Sequence, residues 1–335
     1  MSKKNYSECS FQPCRSRTCA SAVQIGYSIL NMFDFKSTYF CSLLTVVFLL
    51  STAPIFAVSA QKSFLVTDFG ASGDGVSLNT SKIQSAIDQI SAKGGGTLVI
   101  PKGVFLSGSI FLKPRVNLHL DEGAVIKGSL DRKDYPKMIT RIEGQFVEWL
   151  PALINADKVD GLRITGSGTF DGNGVPFWEE FWARRKTNPA TTNLDVERPR
   201  LALIQNSKDV KISGITFKDS GFWNLHIYRC KGVVIENLRF EVKDGLRAPS
   251  SDGIDIDSSQ NVTIRACTFR VDDDAIALKG TKGPFAMADK NSPPVENIRV
   301  IDCTFERGHG VLTLGSEGTI IRNVVIERAK VVGPI

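Results

Sequence analysis

Cysteine is scarce where it would count. Seven occur in 335 residues, and Cys9, Cys14, Cys19 and Cys41 all precede residue 60. The other three, Cys230, Cys267 and Cys303, are too few for a disulfide framework. Histidine is rarer still, with only His119, His226 and His309. Charge of one sign is also missing. Against 41 Lys and Arg stand 35 Asp and Glu, and no basic run of the kind nucleic-acid binders carry is present. The small positive balance is weak support for a polyanionic ligand. No nucleic-acid partner is expected.

One long apolar run exists, Phe40 to Val58, with Lys36 before it and Val58-Ser59-Ala60 at its end. A membrane anchor is one reading of it. Pro54 and the small-residue exit favour a secretory signal peptide cut after Ala60. Residues 1–60 are therefore set aside as an extension plus signal, and 61–335 as the working domain. The mature protein is expected to be secreted, without stable membrane association. Asn79-Thr80-Ser81 and Asn261-Val262-Thr263 are candidate glycosylation acceptors.

What is abundant is glycine (29 residues) and short β-branched runs. Val210–Phe217, Val233–Phe240, Val262–Phe269 and Ile298–Phe305 share one pattern, and their closing phenylalanines are 23, 29 and 36 residues apart. Constant strands with variable turns predict an all-β chain, a single-stranded right-handed parallel β-helix whose inserts bulge from the turns. Phe217, Phe240, Phe269 and Phe305 should stack in register. Cys267 and Cys303 fall at the Ile215 and Leu238 position and read as small core residues, a disulfide being the lesser alternative. Ahead of the ladder, Ile83, Ala86, Ile87 and Ile90 form one stripe of a helix near 81–92 that would cap the solenoid, opened by a Ser81/Gln84 capping box. Gly94-Gly95-Gly96 follows this helix and is a turn, not a phosphate loop.

In such a solenoid, distance along the chain becomes vertical stacking. Ser251-Asp252-Gly253-Ile254-Asp255, Asp272-Asp273-Asp274 and Gly308-His309-Gly310 would then meet on one wall. Each has a plainer reading. Asp-Gly pairs are common in solvated turns, a lone histidine is usually structural, and Lys279, of the same strand parity as Asp273, could be a surface lysine. Three adjacent carboxylates running into the apolar strand Ala275–Leu278 are harder to explain without solvent, metal or function. Together they suit acid/base cleavage of a glycosidic bond.

In order and spacing, Asp252-Gly253-Ile254-Asp255, Asp273-Asp274 and Gly308-His309-Gly310 resemble glycoside hydrolase family 28, the polygalacturonases and their relatives. Arg198-Pro199-Arg200-Leu201 and Phe222-Trp223-Asn224-Leu225-His226 add to the likeness, which runs from about residue 64 onward. The resemblance implies an inverting hydrolase of α-1,4-galacturonosyl linkages in pectin, with no cofactor and no metal. Asp273 would be the general acid. Asp252 and Asp274 would hold and deprotonate the water, and His309 would tune the acid. Lys279 and Asp255 are assigned to substrate binding. Crowding within Asp272-Asp273-Asp274 would raise the acid's pKa.

Two departures are local: Ser250-Ser251 replaces the family's Asn-Thr, and Asp272 adds a third acid. A third concerns the family's Arg-x-Lys pair, which grips the substrate carboxylate about one coil past the histidine. The expectation is that this pair is missing and that the chain is cut short at Ile335, with an exposed last coil at Val324–Val331. Alternatives are a rhamnogalacturonan or xylogalacturonan hydrolase, a calcium-dependent pectate lyase using the aspartates as ligands, and an inactive or polysaccharide-binding solenoid. Inserts at 131–151 and 281–294 would wall one end of the groove and favour attack on chain ends. A complete protein is expected to be monomeric, with pectic polysaccharide as its partner.

Overall fold

The computed structural model describes residues 62–335; the signal-peptide reading lies outside them. Three parallel sheets run the length of the described chain. Two have nine strands each, from Ser63–Leu65 to Ile321–Glu327 and from Asp74–Leu78 to Lys330–Val331. The third has seven, from Ile110–Leu112 to Thr313–Leu314. Each coil visits the sheets in turn, which makes a right-handed parallel β-helix, the hand that parallel crossovers take. Among the described residues no helix is long and apolar enough to cross a membrane.

The repeat dictates the core. In the strands of the first sheet, alternate side chains are buried: Val210 and Ile212, Val233 and Ile235, Val262 and Ile264, Ile298 and Val300. In the second sheet the phenylalanines stand directly over one another. Phe217–Phe240, Phe240–Phe269 and Phe269–Phe305 stack with centroids 5.1, 5.0 and 5.1 Å apart, as the constant length of the repeated segment requires. Phe170 meets Phe217 edge-on at 5.4 Å, where the ladder begins. Cys230, Cys267 and Cys303 are buried free thiols.

Bends between the first and second sheets turn on left-handed residues: Gly166, Gly214, Asn237, Ala266, Asp302 and Arg328 all have positive φ. The bend geometry repeats, so one residue per coil bears the strain while the strands stay in register. A second left-handed file includes Asn261, Asn297 and Asn323. Asn297 Nδ2 donates to Asn261 Oδ1 (2.8 Å), and Asn323 Nδ2 to Asn297 Oδ1 (3.1 Å).

Helix α1 (Thr80–Ala92) buries Ile83, Ala86, Ile87 and Ile90 against the first coils, as the stripe predicts. The Ser81/Gln84 capping box does not form. Helix α1 starts one residue earlier with Asn79 at its N-cap, and Gln84 instead bridges Asp88 and the backbone of Phe111. Asn79 is fully buried, its amide bonded to Ser72 and Ser77, so it offers no sugar-acceptor site on the folded surface; Asn261 is exposed. Helix α2 (Val175–Thr187), unforeseen from the sequence, follows the coil that ends at Phe170. Pro176 starts it, Phe177, Trp178 and Phe181 bury one side, and Arg184, Arg185 and Lys186 fill its last turn. The 131–151 insert is an antiparallel hairpin, Met138–Ile142 with Gln145–Trp149.

Candidate active site

The third sheet supplies the floor. In the strand Ile254–Asp257, Ile254 and Ile256 enter the core, so Asp255 and Asp257 face outward. His226 and Tyr228 pair with them from one side, Ala277 and Lys279 from the other. An outer face ordinarily meets water, yet all six residues are buried here. The hairpin and the 281–294 segment lie across them. Tyr228 Oη donates to the Asn291 carbonyl (3.2 Å), and Lys282 N donates to the Gly144 carbonyl at the hairpin tip (3.0 Å).

Two charged clusters divide this covered face. In the first, Arg141 of the hairpin donates to both oxygens of Asp257 (2.9 and 3.3 Å) and to the Gly280 carbonyl (2.6 Å). Its guanidinium lies over the rings of Tyr228 and Phe146. Arg200 donates to the Arg141 carbonyl and to His226 Nδ1 (2.8 Å). Arginine has no acceptor, so Nδ1 is the acceptor and the imidazole proton sits on Nε2, 3.5 Å from Asp257. Burial pushes His226 down to about 4 and keeps it neutral. Burial opposes the charge on Asp257, but His226 and Arg141 outweigh it and hold its carboxyl below the usual range.

In the second cluster Lys279 Nζ lies 3.4 Å from Asp252, 3.4 Å from Asp255 and 3.6 Å from Glu317, above the Trp223 ring. Burial disfavours its charge, and the three carboxylates more than restore it. Both Asp255 oxygens are buried without a hydrogen-bond partner. Burial first, and then the Asp252 charge, push Asp255 well above the carboxylate range. Asp252 is raised to about 7, by burial and by Asp273 and Asp274 against the pull of Lys279. The proton of this pair belongs on Asp255, which is sealed in, leaving Asp252 as the carboxylate that lines the cavity.

Backbone hydrogen bonds stack the three motifs. Asn224 N donates to the Asp252 carbonyl, Gly253 N to Asp274, Ala275 N to Gly310, and His309 N to Asp273. Glycine is needed at 253, because a Cβ there would stand 2.5 Å from the Ala275 carbonyl oxygen. At Gly310 one would stand 2.8 Å from Thr313 Oγ1.

The resulting cavity, of about 800 Å³, is lined by Asp252, Asp273, Asp274, Lys279 and His309. Asp255 lies behind it, in contact through Lys279. His309 is exposed, and its Nδ1 lies 3.6 Å from Asp274. Burial raises Asp273, and the neighbouring Asp274 charge adds to it. Asp272 takes no part in this, contrary to the crowding argument. It turns away to Arg307 (2.9 Å) and the Ala248 amide (2.8 Å), which compensate its charge. The Ser250-Ser251 departure is held by similar contacts, and Ser250 also lines the cavity. Arg198, stacked between Phe181 and Phe222, donates to Ser250 Oγ and the Pro249 carbonyl, while Ser251 Oγ accepts from Asp272 N.

Sequence reasoning missed Glu317, Trp223, Glu143 and Arg185 at this cavity. Only Trp223 lay in a quoted motif. The Arg-x-Lys triplet expected to be missing does occur, at Arg328-Ala329-Lys330. Arg328 is the left-handed bend residue, tied to Asp302, and Lys330 pairs with Thr304 in the second sheet; neither lines the cavity. Asp273, Asp274 and His309 offer donor atoms within 4.8 Å of one another. Two carboxylates and an imidazole are a poor set for calcium, which takes six to eight oxygens.

A family model described as "Glycosyl hydrolases family 28" matches residues 88–334. A probable polygalacturonase of Vitis vinifera is 30% identical over 75% of this chain and 51% of its own length. An exo-poly-alpha-D-galacturonosidase of Dickeya chrysanthemi is 27% identical over 83% of this chain and 51% of its own length. The structure of a hyperthermoactive exopolygalacturonase from Thermotoga maritima superposes with a TM-score of 0.68 at 28% identity, covering 80% of this chain and 66% of that one. The chain spans about half the length of the curated relatives it matches.

Proposed function

The chain belongs to glycosyl hydrolases family 28, and from that premise we propose that it is a secreted hydrolase of α-1,4-galacturonosyl linkages, acting from chain ends. The observation that carries this reading is the convergence of Asp252, Asp273 and Asp274 on one cavity around buried Lys279. Asp273, raised by burial and by Asp274, gives its proton to the glycosidic oxygen as the bond to C1 breaks. Asp252 and Asp274 orient a water that attacks C1 from the opposite face, and one of them takes its proton. The product sugar is inverted at C1.

Support for attack at chain ends comes from the cavity's far wall. Glu143 at the hairpin tip is bound by Lys282 (3.3 Å) and Asn193 (3.1 Å), so the hairpin, the 281–294 segment and the stretch that follows helix α2 meet there. Secretion rests on the Phe40–Ala60 pattern. The test is reducing-sugar release and viscosity on polygalacturonate, with and without chelator. Expected are monomeric products of inverted configuration, slow loss of viscosity and insensitivity to chelation. Unsaturated products requiring calcium would establish a lyase, and a rapid fall in viscosity would establish internal cleavage.

A further inference from the structure

A galacturonan carries one negative charge per unesterified sugar, and the cavity is poorly furnished to receive it. Glu143, Asp252, Asp273, Asp274 and Glu317 all line it. Of its cations, Lys279 is spent on Asp252, Asp255 and Glu317, and Lys282 on Glu143. Arg328-Ala329-Lys330 is elsewhere. Arg185 remains. It lines the cavity, is exposed, and has no acidic partner among the described residues. Its guanidinium is instead propped near the rings of Phe181 and Trp182, 5.8 and 5.9 Å from their centroids. Its neighbour Arg184 is already committed to the Asp195 carbonyl (2.6 Å).

We propose that Arg185, carried to the cavity by the last turn of helix α2, binds a carboxylate of the substrate and sets the preference for unesterified over esterified galacturonosyl units. A guanidinium presents a planar fork of donors that matches a carboxylate and cannot bind a methyl ester in the same way. This rests on the galacturonide reading. Arg185 touches substrate but not the reacting bond, so it governs affinity.

The test is calorimetric binding of trigalacturonate and its methyl ester to the full chain carrying Asp273→Asn, which stops turnover. The parent is expected to bind the acid about tenfold more tightly than the ester, the scale of one charge-assisted hydrogen bond. Arg185→Gln should bring the acid down to the ester's affinity and leave the ester unchanged, while Arg185→Lys restores part of the gap. Lys186→Gln removes the same charge from the same helical turn, off the cavity lining, and should change neither ligand's affinity. Undiminished acid binding by Arg185→Gln, an equal loss in Lys186→Gln, or no acid preference in the parent overturns the assignment alone. A parent that binds neither ligand overturns the galacturonide reading and the assignment with it.

Discussion

Asp255 and Asp257 stand two residues apart on one strand, both buried and both on the outer face of the same sheet, yet their surroundings drive them in opposite directions. Asp257 has a guanidinium in two-point contact and a neutral histidine beside it, and remains ionised. Asp255 has only Lys279, shared with two other carboxylates, and holds a proton. The difference separates structure from chemistry. The first cluster fastens the hairpin onto the sheet. The second keeps a lysine and several acids close to balance beside open space, where a substrate can tip the protonation.

The largest effect that would sharpen this contrast belongs to the cavity. Asp273→Asn removes the transferable proton, and turnover should fall by about 10²–10⁴-fold, with the melting temperature unchanged. His309→Ala should cost less, since that side chain is exposed and touches Asp274 rather than the acid. Near-normal turnover in Asp273→Asn would break the division of labour proposed for the two clusters.

Next in size are the cations that anchor each cluster. Arg141→Leu leaves Asp257 buried without its ion-pair partner, and should cost about 3–5 kcal/mol in urea unfolding. Lys279→Met should cost less, about 1–3 kcal/mol, because Asp252 and Asp255 already sit where protonation comes easily. That loss should deepen as pH rises. Equal and pH-independent costs at the two sites would mean that the clusters do not differ.

The repeat was legible because the core obeys one rule per coil. Strand starts and closing phenylalanines keep the same intervals from coil to coil, which fixed sheet register, and register fixed which motifs share a wall. The motifs carrying Asp252, Asp273, Asp274 and His309 could thus be expected on one wall from spacing, whereas Lys279 was left open between that wall and the surface, and the residue roles came from the family resemblance. The inserts were another matter. Helix α2, the hairpin and the 281–294 segment follow no period, so Arg185, Glu143 and Arg141 gave no sign of what they would meet. Asp272 misled for a related reason. It lies in the bend between the strands Thr268–Arg270 and Ile276–Lys279, where no strand alternation sets its direction, and its partner is Arg307 on the next coil rather than its neighbours in sequence.

The smallest effect is the most direct comparison of the two aspartates. A carboxyl whose pKa is raised on folding stabilises the native state fully below its unfolded value, about 3.9, and loses that contribution as pH rises through the folded value. Asp252 and Asp255 are of this kind, so wild-type stability should decline from about pH 4 towards pH 7, where Asp252 titrates. Asp257 has the opposite sign. Its contribution is present above about pH 4 and is lost only as the solution becomes more acid than that. Asp255→Asn replaces a protonated acid by a neutral group of the same shape. It should change stability at pH 4 by on the order of 1 kcal/mol or less, and flatten the decline towards pH 7. Asp257→Asn should do none of this and should instead destabilise most at neutral pH, where the wild-type ion pair is complete. Denaturant midpoints at pH 4, 5.5 and 7 for the two variants would decide it: parallel curves would show that the two aspartates serve one purpose.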